Sequence, residues 1–202
     1  MRHLLPGIAA MAAVVLASNV LVQFLLGDWL TWGALTYPLA FLVNDVTNRL
    51  HGARAARTVV LWGFGIGVAC SLVGTQIQGE FGPLVTWRIA IGSGLAFLAA
   101  QTLDLAVFDR LRRGAWWRAP LASSVLGSAL DTALFFTIAF SAALALPAAM
   151  GDVAWANEGV PLLGMGPVAP LWISLAAADW GVKMTLALLA LVPFRHLTAR
   201  HA

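Results

Sequence analysis

Apolar and polar residues alternate along the chain in blocks: six long apolar stretches, each closed by a short polar one. A helix that crosses a membrane needs about 20 mostly apolar residues. Stretches of that kind run over residues 4–26, 29–48, 58–76, 87–109, 119–146 and 169–192. No segment shows strand alternation of sufficient length, and no boundary divides the chain in two. The pattern predicts an all-α membrane protein, a bundle of six transmembrane helices forming a single domain over residues 1–202. Arg2 and His3 precede a first apolar run that reaches Leu16, Ala17 and Ser18, which has the look of a secretory signal. Five further stretches follow it and no soluble domain does, so it is read as the first helix of the bundle.

Composition points to the same solvent. Of the 202 residues, 60% are hydrophobic and only 10% charged, with a mean hydropathy of +0.85. A soluble domain carries about 25% charged residues, so this chain lacks the polar surface to face water. Nine Trp fit a chain with membrane interfaces. Cys70 is the only cysteine, which excludes a disulfide framework and a thiolate metal cluster.

Arginine placement sets the orientation. Arg49, Arg54 and Arg57 lie between the second and third stretches, and Arg110, Arg112, Arg113 and Arg118 between the fourth and fifth. Arg2 precedes the first, and Arg195 and Arg200 follow the last. In a six-span chain all of these fall on one side. The other side holds Asp28, Glu80, Asp152 and Glu158, with Arg88 at its margin. Basic loops stay in the cytoplasm, so both termini are expected there. This explains the basic pI as topology rather than as a nucleic-acid surface. The longest outer connection, 147–168, is rich in Gly and Pro and reads as a surface loop or as a gate over a substrate entrance.

Ionisable groups within a span cost several kcal/mol unless paired or facing water, so each needs a reason. Asp45, Asp104, Asp131, Asp179 and Lys183 lie at or within the span limits, with Asn19, Gln23, Asn44 and Gln101. Helical spacing sorts them into faces. Tyr37, Phe41, Asp45 and Asn48 form one stripe; Phe97, Gln101, Asp104 and Phe108 a second; Ser124, Ser128, Asp131 and Phe135 a third. Asn19 and Gln23 are one turn apart. Such faces, converging inward, suit a planar, nitrogen-rich ligand: aromatics stack on it while carboxylates and amides meet its edge. Each also has a structural explanation. Asp179 with Lys183, and Asp45 with Arg49, have the one-turn spacing of ion pairs. Asn19 and Gln23 are amides of the kind that tie helices together, and Gly63, Gly65, Gly67, Gly92 and Gly94 permit close helix approach. Asp104 and Asp131 have no base one turn away, which favours a functional role. His3, His51, His196 and His201 have no metal-ligand spacing, and no nucleophile–base arrangement occurs within the spans. The sequence is therefore not that of an enzyme, and neither metal nor cofactor is expected.

Four blocks carry a resemblance: ASNVLVQ at 17–23, TWGALTYPLAFLVNDVTNRLHGARAAR at 31–57, RIAIGSGLAFLAAQTLDLAVFDRLRR at 88–113 with WWRAPLASSVLGSALDTALFFTIAF at 116–140, and DWGVKMTLALLALVP at 179–193. In order and spacing they resemble the queuosine precursor transporter family, also described as vitamin uptake transporters. The outer loops, 147–168 above all, are not part of the likeness. The resemblance implies import of 7-deazaguanine bases across the bacterial inner membrane for tRNA queuosine salvage. Those bases are 7-cyano-7-deazaguanine, 7-aminomethyl-7-deazaguanine or queuine. On that basis Asp131 and Asp104 accept hydrogen bonds from the base, with Gln101, Asn44 and Asp45 along its edge and Phe97, Phe135 and Phe41 stacked on it. Asn19, Gln23 and Arg88 make the first contacts on the way in, and Asp179 with Lys183 forms a coupling or structural pair. The expected partners are a small-molecule nucleobase and membrane lipids. A second copy of the chain, or an ATP-driven module served by this chain as binding subunit, is the alternative to a self-sufficient carrier.

Overall fold

The computed structural model describes residues 2–80 and 82–199. Arg200 and His201, which entered the charge and histidine patterns, lie outside the described residues. The helices are α1 (Leu5–Leu21), α2 (Trp32–Thr36), α3 (Leu39–His51), α4 (Ala53–Gln76), α5 (Trp87–Leu111), α6 (Arg118–Phe140) and α7 (Leu171–Thr198). Five of them, α1 with its leading turn and α4 to α7, are long and apolar enough to cross a membrane.

The second predicted stretch, 29–48, is not one helix. Pro38 has no N–H to give and its ring crowds the preceding turn, so α2 ends at Thr36 and α3 begins at Leu39. Across the break, the N–H groups of Ala40 and Phe41 bond to the carbonyls of Tyr37 and Pro38 at 3.0 and 3.1 Å, a tighter turn than the α-helix uses. The two pieces together still return the chain alongside α1. At one end of the bundle the His3 and His51 rings lie 5.6 Å apart, and Arg49 Nη1 donates to the Arg112 carbonyl at 2.7 Å. The Arg195 guanidinium sits 5.0 Å from the Trp116 ring there. The start of α1, the end of α3, the α5–α6 turn and the end of α7 therefore share a single, basic end.

Other boundaries move for local reasons. Apolar residues 22–26 were expected to extend the first helix. Instead Gly27 turns the chain at φ +68, and β1 (Leu25–Leu26) pairs with β2 (Leu30–Thr31). The fifth stretch stops at Phe140 rather than 146. Short ribbons β3 (Gln78–Gly79) with β4 (Gly82–Pro83), and β5 (Gly159–Pro161) with β6 (Val168–Pro170), close two further outer turns. The 147–168 connection is ordered: Asn157 Nδ2 donates to the carbonyls of Phe140 and Val153, and Trp155 packs on Phe140.

Helix α3 packs against α1, α4, α5, α6 and α7. It buries Asn44, Asp45, Thr47 and Asn48, a set too polar for lipid, and its neighbours take the lipid's place. The outside is apolar: Leu61, Trp62, Leu72 and Val73 on α4 and Leu188, Leu189 and Val192 on α7 are exposed. Of the glycines expected at helix contacts, Gly63 is a true close approach, where a Cβ would meet Met11 at 2.6 Å; Gly65 faces open space.

Candidate functional site

Two polar clusters sit inside the bundle. The first joins α3, α5 and α6. Asn44 Nδ2 donates to Asp104 Oδ2 at 2.8 Å and to the Gln101 carbonyl at 3.3 Å. Ser123 and Ser124 on α6 donate to the two oxygens of Asp45 at 3.1 and 3.4 Å. Ser123 also lies beside Asp104, and the two carboxyl groups are within hydrogen-bonding reach of each other. The ion pair expected between Asp45 and Arg49 does not form, because the Arg49 guanidinium turns to the Arg112 carbonyl. Asn44, Gln101 and Asp104 are fully buried and Asp45 is 2% exposed. Among the described residues, six buried side-chain atoms have no partner: Asn44 Oδ1, both polar atoms of Asn48, both of Gln101, and Asp104 Oδ1. All lie on α3 and α5. An unpaired buried polar group costs about 1–3 kcal/mol, so this concentration makes the first cluster the candidate site.

The second cluster joins the α2–α3 break to α6 and α7. Lys183 Nζ contacts Asp131 Oδ2 at 2.6 Å and Asp179 Oδ2 at 2.5 Å. It also lies 3.0 Å from Thr132 Oγ1, which donates to Asp179 at 2.8 Å. Tyr37, the last residue before Pro38, donates its hydroxyl to Asp131 Oδ1 at 2.9 Å. The one-turn pair of Asp179 and Lys183 is therefore present but larger than expected. Asp131, which has no base one turn away on its own helix, takes one from α7.

Asp131 stands seven residues beyond Ser124, about 10 Å along α6 at 1.5 Å per residue. Asp104 and Asp131 thus belong to separate clusters rather than to one hollow. Between them Gly127 brings α6 against α3 and α5: a Cβ there would meet Phe41 at 2.9 Å, Asp104 at 3.1 Å and the Ala100 carbonyl at 3.2 Å. A cavity touching Phe41, Ser124, Ser128 and Lys183 holds only about 10 Å³. A larger one, about 190 Å³, opens between α4 and α5 against Arg57, Val60, Leu98, Gln101 and Leu105.

The family described as "Putative vitamin uptake transporter" matches residues 31–198. A queuosine precursor transporter of Escherichia coli (strain K12) is 32% identical over 197 residues, 89% of this chain and 79% of that protein. A probable queuosine precursor transporter of Haemophilus influenzae is 39% identical over 124 residues, 54% of this chain and 52% of that protein. One of Bacillus subtilis (strain 168), also a probable queuosine precursor transporter, is 26% identical over 83% of this chain and 71% of that protein. The chain belongs to the vitamin uptake transporter family. No solved structure matches it.

Membership makes this a transporter and not an enzyme. The remaining candidate residues of this vitamin uptake transporter relative divide by position. Phe41 and Phe97 are buried beside the first cluster, where Tyr37 packs edge-on against both rings. Phe135 instead packs with Phe136 and Phe140 towards the outer end of α6. Asn19 donates to the Val15 carbonyl of its own helix. Gln23 is exposed beyond the end of α1, not on it. Arg88 is 3% exposed and donates to the carbonyls of Ile138, Ser141 and Leu144, at 3.1, 2.7 and 3.5 Å. A cation there satisfies carbonyls at and just beyond the end of α6, which is a structural duty. Sequence reasoning passed over Ser123 and Thr132 and drew no role from Tyr37 and Asn48. The latter two were legible on the α3 stripe; Ser123 and Thr132 act across helices, where spacing carries no signal.

Proposed function

We propose that this protein imports queuosine precursors, 7-deazaguanine bases such as 7-cyano-7-deazaguanine and 7-aminomethyl-7-deazaguanine, or queuine, across the bacterial inner membrane, with both termini in the cytoplasm. The observation that carries the reading is the group of unpaired buried atoms on Asn44, Asn48, Gln101 and Asp104. The aminopyrimidinone edge of such a base offers N–H donors beside a carbonyl acceptor. Asp104 Oδ1 and Asn44 Oδ1 accept from the N–H groups, and the Gln101 amide donates to the carbonyl. Phe41 and Phe97, both buried beside these groups, supply the stacking. The cavity between α4 and α5, which Gln101 lines, is large enough for a bicyclic base to approach these groups. Asp131, with Tyr37, Lys183, Thr132 and Asp179, holds the break in place; Asn19 and Gln23 serve the outer mouth.

The test uses a strain that neither makes the precursors nor carries its own importer. Each base is fed separately and queuosine in tRNA is measured. Asp104→Asn, at normal membrane levels, should cut the queuosine content at least tenfold, since a charged acceptor lost to a buried ligand costs about 1.5–3 kcal/mol. Undiminished queuosine would contradict the assignment.

A further inference from the structure

We propose that Asp45 and Asp104 form a proton-binding site, and that one proton travels with each base imported. The inference rests on the reading of this cluster as the place where a nucleobase is gripped. Its ground is charge and geometry. Asn44, next to Asp45 on α3, donates to Asp104 on α5 at 2.8 Å, and Ser123 donates to Asp45 at 3.1 Å and lies beside Asp104, which brings the two carboxyl groups together. Neither is exposed by more than 2%, and no base lies within 4 Å of either among the described residues.

Among the described residues, no basic group on the surrounding elements forms a salt bridge with the pair. Arg49, one turn along α3, donates to the Arg112 carbonyl. Arg112, beyond the end of α5, is held by Asp109 and by the carbonyls of Asn48 and Arg49. Arg57 on α4 lines the α4–α5 cavity, and Lys183 on α7 sits between Asp131 and Asp179. Helix α6 supplies hydroxyls but no cation to the pair, and α1 carries no charged residue.

Two like charges this close, out of water and without a counterion, cannot both be ionised. A shared proton removes one charge and turns one carboxyl oxygen into a donor for the other. It leaves Asp104 Oδ1 and Asn44 Oδ1, buried acceptors with nothing to accept from, to receive the N–H groups of the base. Proton and base thus occupy the site together, each favouring the other's binding, and cooperation of this kind moves them in the same direction within one cycle.

The experiment is uptake by purified protein in liposomes, with a pH-sensitive dye and zero membrane potential maintained by valinomycin and equal potassium. A labelled 7-deazaguanine base is added outside. The lumen should acidify as label enters, with about one proton per base. Asp45→Asn should lower the protons moved per base at least tenfold, a ratio that does not depend on how much protein inserts. Label entering the wild-type liposomes with no change in lumenal pH overturns the proton site and leaves the base site standing. No entry of any base removes both.

Discussion

At the scale of single residues, Lys183 shows how much a buried charge depends on its partners. It is the only lysine in the chain and it is 4% exposed, between two carboxylates. Removing one member of a buried pair leaves an uncompensated charge and costs about 3–5 kcal/mol. Lys183→Met should therefore lower the thermal midpoint of the detergent-purified protein markedly. Combining it with Asp131→Asn should recover part of the loss; a double variant no more stable than the single one would show that the pair is not coupled. Arg88 makes a contrasting case. Arg88→Leu frees three carbonyls at and just beyond the end of α6 and should reduce the amount of folded protein. The half-saturating base concentration of the protein that does fold should stay the same. A raised half-saturation at normal stability would restore Arg88 as a contact on the way in.

At the scale of elements, the break at Tyr37–Pro38 matters most. Its place is set by Pro38, and its stability by Tyr37 reaching Asp131 on α6. Discontinuous helices in transporters concentrate substrate sites where the backbone is interrupted, and α3 begins one turn before the buried Asn44 and Asp45. Pro38→Ala should restore the helical ladder, leaving the thermal midpoint equal or higher while uptake falls severalfold. Uptake at the wild-type rate would make the break incidental.

The same element marks where the sequence is readable and where it is not. Long apolar stretches located α5, and one end each of α4, α6 and α7, to within two residues because lipid imposes length and polarity together. They overran α1 and α6, since an apolar residue in an outer turn looks like one in a helix. The stripe of Phe97, Gln101, Asp104 and Phe108 proved buried along its whole length, because spacing on one helix defines its face. Pairings between helices were out of reach. Asp131 and Lys183 are 52 residues apart, and Asp45 takes the serines of α6 over the arginine one turn away.

At the scale of the whole molecule, one end gathers the basic turns and both described chain ends, and an apolar surface surrounds a polar α3. Reporter fusions check which way this bundle faces. A fluorescent protein joined after the last helix should fold, and an alkaline phosphatase at the same point should be inactive; the opposite pattern would invert the orientation. Liposomes holding this chain alone also separate a self-sufficient carrier from a subunit of an ATP-driven assembly, because uptake without a partner excludes an obligate one.

The central claim is that a nucleobase is gripped by the buried amides and carboxylate shared between α3 and α5. Equilibrium binding of a labelled 7-deazaguanine base to the purified protein tests it most directly, compared with Gln101→Leu and Asp104→Asn. Wild-type protein should bind the base, and each substitution should weaken binding at least tenfold, about 1.4 kcal/mol, with the thermal midpoint in the absence of base preserved. Binding of equal strength by all three proteins, or by none, would contradict it.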